Sequence, residues 1–187
     1  MVDSERLVPL LLGTGIPNMD ILVTDENNKK LCAIQVKTRR DIGRDKGWHM
    51  KPKHETMVVD DLFYVFVDVG RRPSDPTICY ILPSKVVADC IKRCHQVWLD
   101  TPGRSGHPHK DSNVRRLRPD HSSINPITQE GKAIIDEYRL GWLDQYREEW
   151  GILGCPKQIA SDSYRVLPAT CGMTVRDWQT FFKAHLF

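Results

Sequence analysis

The run DLFYVFVDVG, residues 61–70, constrains the fold more than any other part of this chain. It is rich in aromatic and β-branched residues, which favour strands. Because nearly every position is apolar, rather than every second one, we expect a central strand that is covered on both faces. The turn residues RRPSDP follow it, and TICYIL then returns as another strand. The sequence therefore predicts a hairpin built around this buried strand.

A second hairpin is predicted nearer the N-terminus. Residues 19–25 and 31–38 alternate apolar and polar side chains, and DENNKK between them is typical of a tight polar turn. Residues 4–12 form a short helix or a strand, since Pro9 argues against a long helix. The polar, basic segment RRDIGRDKGWHMKPKHE after the hairpin is predicted to be a loop with a helical turn near its end.

Two amphipathic helices are predicted in the second half of the chain. Pro83 and Ser84 start the first, with Ser84 as its N-cap. Its apolar stripe comprises Val87, Ile91, Cys94 and Trp98. The long loop TPGRSGHPHKDSN ends it, and a second helix follows from about Gln129 to Trp150, weakened by Gly141. The predicted inward residues of this second helix are Ile134, Ile135, Tyr138, Trp142, Leu143 and Tyr146.

These elements predict one α/β (α+β) domain over residues 1–154, with a mixed, mainly antiparallel sheet of four or five strands flanked by helices. Residues 155–187 are predicted to be a helical C-terminal extension that packs on the domain or on a partner subunit. No apolar run approaches the roughly 20 residues that span a bilayer, and we find no secretion signal. We therefore expect a cytoplasmic protein with no membrane partner and with reduced cysteines.

Six cysteines stand at positions 32, 79, 90, 94, 155 and 171. Cys32 and Cys79 lie in strand-like runs and are predicted to be small buried side chains. Cys90, Cys94 and His95 suggest a zinc site, but no second Cys pair accompanies them. Core packing of the two helical cysteines is the favoured interpretation, and zinc is the alternative.

The charge of the chain is unevenly distributed. Net charge is only +3, yet residues 29–54 hold nine Lys or Arg against two Asp. Residues 103–119 hold five bases against one acid, whereas residues 120–150 hold seven acids against three bases. Two basic segments on a balanced chain indicate a polyanionic partner. On charge alone, however, a solvated surface without a partner is the favoured interpretation.

Three polar side chains meet at the ends of the first hairpin. Gln35 and Lys37 share one face of their strand because side chains alternate. A turn near residue 27 or 28 sets Asp20 opposite residue 35 or 37. A carboxylate, an amide oxygen and a main-chain carbonyl are hard ligands for Mg²⁺ or Mn²⁺, and a nearby ammonium can stabilise developing negative charge. Alternatively, Asp20 caps the preceding loop and Lys37 is an ordinary strand-edge lysine.

The spacing of Asp20 and the Gln35-Val36-Lys37 triplet on a strand hairpin resembles the PD-(D/E)xK (restriction-endonuclease-like) nuclease superfamily. Members pair an Asp at a strand end with Glu/Asp-x-Lys on the next strand, and Gln is a variant of the second acid. The chain is most similar to an uncharacterised bacterial branch with a D…QxK motif. Other segments that carry the resemblance are AIQVKTRR, GWHMKPKHE, LFYVFVDVG, YILPSKVVADCIKRCHQVWL and TPGRSGHPHKDSN, so that it covers roughly residues 16–154.

The resemblance implies a restriction-endonuclease-like core and metal-dependent hydrolysis of phosphodiester bonds in DNA, with RNA not excluded. Asp20, Gln35 and Lys37 would be catalytic. A weakly bound Mg²⁺ or Mn²⁺ would be held by Asp20, Gln35 and the Val36 main-chain carbonyl, with Glu5 as a further candidate ligand. Such nucleases are often homodimers. The chain departs from the family pattern in two ways: Gln35 removes one negative charge from the metal site, and only 19 residues precede Asp20. These departures favour an alternative, a catalytically weakened protein that binds nucleic acid or serves as an oligomeric interaction module.

Further residues are predicted to contact nucleic acid around this site. The candidates for phosphate contacts are Arg39, Arg40, Arg44, Lys46, Lys51, Lys53, Arg104, His109 and Lys110. Trp48 stacks on a base or, as we favour, covers a core edge. His54 and Glu55 either assist near the metal or, the favoured interpretation, start a helix at the surface.

Overall fold

The structure is a computed structural model, and it describes residues 8–12, 18–24, 30–42, 46–103 and 105–154. Several predictions lie outside these ranges: the turn of the first hairpin, the N-terminal segment with Glu5, the loop residues Arg44 and Arg104, and the extension 155–187 with its final helix.

A five-stranded sheet forms the centre of the described fold, in the order β1-β2-β3-β5-β6. Its strands are β1 Val8–Leu11, β2 Ile21–Thr24, β3 Lys30–Arg39, β5 Leu62–Asp68 and β6 Ile78–Pro83. β3 and β5 are parallel, and the other neighbouring pairs are antiparallel. The predicted mixed, mainly antiparallel sheet is therefore confirmed, as are the antiparallel pairings of β2 with β3 and of β5 with β6.

The apolar run within residues 61–70 forms β5, which lies between β3 and β6. Phe63, Tyr64, Val65, Phe66 and Val67 are each no more than 5% exposed. Alternation sends Tyr64 and Phe66 to one face, where their rings stack 5.8 Å apart, and the other three to the opposite face. Both faces of this strand are buried, as predicted.

The two faces of the sheet carry separate cores. On one face, Ala33, Tyr64 and Phe66 pack with residues of the helix α1, Ser84–Asp100. On the other face, Ile34 and Val65 belong to a cluster that includes residues of β2 and β6 together with Trp150 and Leu153. Because side chains alternate along β3, Gln35 and Lys37 lie on the α1 face with Ala33.

The segment predicted as a basic loop contains a short strand, β4 Trp48–Met50, which pairs with β7 Arg115–Leu117. Trp48 is 1% exposed, and its indole N–H donates to the Val67 carbonyl at 2.9 Å. The favoured interpretation of Trp48 as a core residue is confirmed. A three-residue strand is too short for alternation to be detected, which is why sequence reasoning missed it. The predicted helical turn is the 3₁₀ helix Pro52–Glu55.

Helix α1 has the predicted buried stripe but a different start. Val87, Ile91 and Cys94 are buried. The prediction of Ser84 as N-cap is wrong, because Pro83 occupies that position. The Ser84 hydroxyl instead donates to the Val59 carbonyl at 2.7 Å and accepts from the Val59 N–H at 2.9 Å, which ties the helix to the residues before β5.

The second helix is shorter than predicted. α2 spans Gln129–Glu137 and is capped by the Thr128 hydroxyl, which accepts from the Gly131 N–H at 3.0 Å. Gly141 has φ +96, so the chain cannot continue as a helix there. The 3₁₀ helices Asp144–Tyr146 and Trp150–Gly154 follow. The predicted inward residues nevertheless pack in the core: Ile135, Tyr138, Leu143 and Tyr146 are buried, and Ile134 and Trp142 are partly buried.

Within the described ranges, no helix is both long and apolar enough to cross a bilayer.

Candidate active site

Asp20 stands at the start of β2 and is fixed against β3 by two hydrogen bonds. The antiparallel register pairs Ile21 with Ile34, which puts Asp20 beside Gln35, as the turn geometry predicts. The Asp20 N–H donates to the Ile34 carbonyl at 2.9 Å, and the carboxylate Oδ2 accepts from the Val36 N–H at 2.7 Å. The Asp20 side chain thus adds one hydrogen bond to the ladder between β2 and β3, at the point where β2 begins. Its carboxylate is held against the Gln35-Val36 peptide.

Gln35 brings an unsatisfied acceptor to the same place. The residue is 7% exposed, and its Oε1 is buried with no hydrogen-bond partner among the described residues. A buried acceptor left unpaired costs about 1–3 kcal/mol, so such groups are uncommon and call for an explanation. A cation or a water molecule is the kind of partner that satisfies this oxygen.

Lys37 completes the group, two residues further along β3 and on the same face as Gln35. Burial lowers the pKa of the Lys37 ammonium below its ordinary value. The Asp20 carboxylate opposes this shift, while the exposed side chains of Lys53 and Lys51 add to it. One acid and three lysines therefore interact electrostatically at this edge, with the positive charge in excess.

Lys53 is also positioned from the other side of the site. Its Nζ donates to the Asn18 Oδ1 at 2.5 Å. Asn18 has φ +67, a left-handed conformation that Asn tolerates better than most residues. This contact joins the residues before β2 to the 3₁₀ helix after β4.

His54 and Glu55 do not lie where sequence reasoning favoured them. His54 is 3% exposed, and its Nδ1 lies 2.8 Å from the Tyr64 hydroxyl, so the expected surface position is wrong. Burial, with Lys37, Lys53 and Lys51, lowers the pKa of His54 to about 4. His54 is therefore neutral at pH 7. Glu55 pairs with the Arg115 side chain.

His54 lies in the 3₁₀ helix that begins at Pro52, whose ring fixes φ in the first turn. The His54 ring packs edge-on against Tyr64, with ring centres 5.8 Å apart. The sequence shows the Pro but not the strand that its turn packs against.

The predicted phosphate-binding residues divide into two groups. Arg39 is engaged inside the fold: it pairs with Asp68, its guanidinium lies 4.4 Å from the centre of the Trp48 ring, and it donates to the Lys46 carbonyl at 2.5 Å. The exposed members are Arg40, Lys46, Lys51, Lys53 and Lys110. His109 stacks on Trp98 of α1, with ring centres 4.1 Å apart.

A second cluster of potential ligands lies away from these residues, and sequence reasoning found only part of it. Cys90 and Cys94 are buried core residues, as favoured. Their neighbour is His121 rather than His95, which instead contacts Asp111 at 2.9 Å. His121 follows β7, far from the cysteines in sequence, so no spacing rule could have connected them.

Comparisons of the chain with protein-family models, with curated proteins and with solved structures give no match. What the described residues offer is side-chain chemistry: a carboxylate, a buried amide oxygen and an amine lie at one end of β2, with further lysines beside them.

Proposed function

We propose that this chain is a metal-dependent nuclease with a restriction-endonuclease-like core, which hydrolyses phosphodiester bonds in DNA. The observation that carries the proposal is the unpartnered Oε1 of Gln35 beside the Asp20 carboxylate, on the same strand face as Lys37. An oxygen that binds a metal would be expected to have these features: it is buried, it is held in a fixed orientation, and it has no hydrogen-bond partner in the protein.

The donor set fits Mg²⁺ or Mn²⁺. Both ions prefer oxygen ligands, which Asp20 Oδ1, Gln35 Oε1 and the Val36 carbonyl would supply. A bound ion would polarise the scissile phosphate and make a coordinated water more acidic. With only one carboxylate among these ligands, binding would be weaker than in a site with two, and water would complete the coordination.

The remaining groups act on the phosphate. In hydrolysis, a water oxygen forms a bond to phosphorus, one P–O ester bond breaks, and the departing sugar oxygen gains a proton. The Lys37 ammonium would donate hydrogen bonds to a phosphoryl oxygen and stabilise the negative charge that develops on it. Lys51 and Lys53 would hold flanking phosphates by charge alone, without reading the sequence.

The test is divalent-metal-dependent cleavage of duplex, single-stranded and branched DNA, with an RNA arm. Lys37→Ala and Asp20→Asn should each reduce the rate about 100-fold or more, as the loss of a transition-state contact does. Lys85→Ala is the matched control, since Lys85 is an exposed lysine on α1. Cleavage that needs no added metal, or that survives both site variants, contradicts the proposal.

Gln35→Glu gives a sharper test because it adds the second carboxylate without changing side-chain length. If Gln35 is a ligand, the variant should reach half-maximal rate at a lower Mg²⁺ concentration than the parent chain. An unchanged or weakened metal dependence would remove Gln35 from the site.

The alternative function is nucleic-acid binding without catalysis. It is favoured by the excess of lysines over acids at the site. Salt-sensitive DNA binding without cleavage by any variant would establish it. The homodimer remains a prediction, and the mass of the chain in solution tests it.

A further inference from the structure

Three buried ligand-type side chains come together between α1 and the segment after β7. Cys90 and Cys94 lie one helical turn apart on α1, so their thiols project from the same face. His121 approaches that face from the other side. The two Sγ atoms and a ring nitrogen of His121 all lie within 4.8 Å of one another, and all three residues are buried.

The separation of Cys90 and His121 in this cluster matches a tetrahedral metal site. With Zn–S of about 2.3 Å and Zn–N of about 2.0–2.1 Å, two ligand atoms on one tetrahedron stand about 3.6 Å (S to N) or 3.8 Å (S to S) apart. The observed distance from Cys90 Sγ to His121 Nε2 is 3.7 Å. Little movement of the backbone would be needed to close the three groups around an ion.

We propose that Cys90, Cys94 and His121 form a binding site for Zn²⁺ or a similar thiophilic divalent cation. Thiolate and imidazole select such ions, whereas Mg²⁺ and Mn²⁺ require oxygen ligands. The site is therefore distinct from the one proposed at Asp20 and Gln35.

His121 presents the correct atom for a metal. The Arg118 backbone N–H donates to His121 Nε2 at 3.2 Å, so this nitrogen carries a lone pair rather than a proton. A metal would take over that lone pair, and the contacts that Nε2 makes with the Arg118 N–H and the Cys90 thiol would be exchanged for coordination.

A small cavity borders two of the three groups, where a fourth ligand would enter. A space of about 50 Å³ is bordered by Cys94 and His121, together with residues that include His95 and Trp98. That volume is enough for a water molecule. Three protein ligands with a water in the fourth position form an exchangeable site rather than a closed structural one.

Metal binding would stabilise the contact between α1 and residues 118–124. His121 is connected to this part of the fold by its backbone, since its N–H donates to the Tyr138 carbonyl and its carbonyl accepts from the Ile124 N–H, both at 3.0 Å. A cation bridging α1 to His121 would therefore fasten the helix to the turn that follows β7. Metal binding would also require deprotonated thiols, so affinity would rise with pH.

The test uses the full chain, reduced and stripped of metal by a chelator. Added Zn²⁺ should bind one equivalent by native mass spectrometry, and added Co²⁺ should give thiolate-to-cobalt charge-transfer absorption. Zinc at a hundred times its Kd should raise Tm by about 5–10 °C.

Matched variants assign the ligands. Cys94→Ala and His121→Gln should weaken Co²⁺ binding more than about 100-fold. Cys32→Ala, at a buried cysteine of β3, and His49→Gln, at an exposed histidine of β4, should leave it unchanged. Circular dichroism reports whether each variant folds. If a variant does not fold, the Co²⁺ spectrum of the parent chain decides whether thiolates bind the metal.

Two results would overturn the proposal. One is a parent chain that takes up neither Zn²⁺ nor Co²⁺, which would leave the three groups as core packing. The other is a folded Cys94→Ala variant that binds as tightly as the parent, which would assign the metal to other residues, such as Cys155 and Cys171.

Discussion

Buried His54 should make the stability of this protein depend strongly on pH. Its ring packs edge-on against Tyr64 and is surrounded by the positive charges of Lys37, Lys51 and Lys53. Burial is the main reason that its pKa falls to about 4 in the folded protein. The His54 ring is thus held neutral under conditions in which an unfolded chain would protonate it.

The magnitude follows from the two pKa values. An unfolded His has a pKa of about 6.5, so between pH 6.5 and pH 4 the unfolded state binds more protons than the folded state. The free energy of unfolding therefore rises with pH through this window, and it falls as the pH is lowered through it. Between pH 7.5 and pH 4 the loss attributable to His54 is about 3 kcal/mol.

The assay is urea unfolding at both pH values for the parent chain and for His54→Phe, which keeps an aromatic ring against Tyr64 but cannot titrate. Each protein gives a change in the free energy of unfolding between the two pH values. Because other groups titrate in both proteins, subtracting the change in the variant from the change in the parent isolates the contribution of His54. The parent chain should lose about 3 kcal/mol more stability than the variant.

Repeating the comparison in 1 M NaCl separates the causes, because salt screens the exposed lysines but not burial. Most of the excess loss should persist there. Equal losses for the parent and the variant at either salt concentration would refute the account of His54.

Two further predictions concern stability. Arg115→Ala should lower the free energy of unfolding by about 3 kcal/mol, because Arg115 is 5% exposed and pairs with both Glu55 and Asp111; a urea midpoint unchanged from the parent would contradict it. Trp48→Phe should cost about 1–3 kcal/mol, since it leaves the Val67 carbonyl without the indole N–H and creates a small cavity; thermal unfolding measures this, and a neutral result would mean that the contact contributes nothing.

The sequence predicts those parts of the fold that local patterns specify. β5 is apolar from Leu62 to Val67 because both of its faces are covered there, and that pattern is visible in the residues themselves. The α1 stripe at Val87, Ile91 and Cys94 is visible for the same reason. β4 and the early end of α2 are not. β4 depends on a partner strand more than sixty residues away, and α2 ends at Tyr138, where φ −114 and ψ 28 leave the helical region three residues before Gly141.

The candidate site shows the same division. The proximity of Asp20 and Gln35 follows from hairpin register, which the sequence constrains. The burial of His54 and the diversion of Arg39 to Asp68 and Trp48 depend on long-range packing. For Arg39 this bears on the predicted phosphate contact, because its guanidinium is already held between an acid and an aromatic ring.

The two proposed metal sites can be tested independently because their ligands differ in chemical hardness. Asp20 and Gln35 offer oxygen, which suits Mg²⁺, whereas Cys90, Cys94 and His121 offer sulfur and nitrogen, which suit Zn²⁺. A Mg²⁺ titration of cleavage therefore reports on the sheet edge, and Co²⁺ absorption reports on the α1 cluster. Loss of cobalt binding with cleavage retained would leave the nuclease proposal intact. Cobalt binding without any cleavage would mean that the thiol cluster belongs to a protein with an activity other than the proposed nuclease.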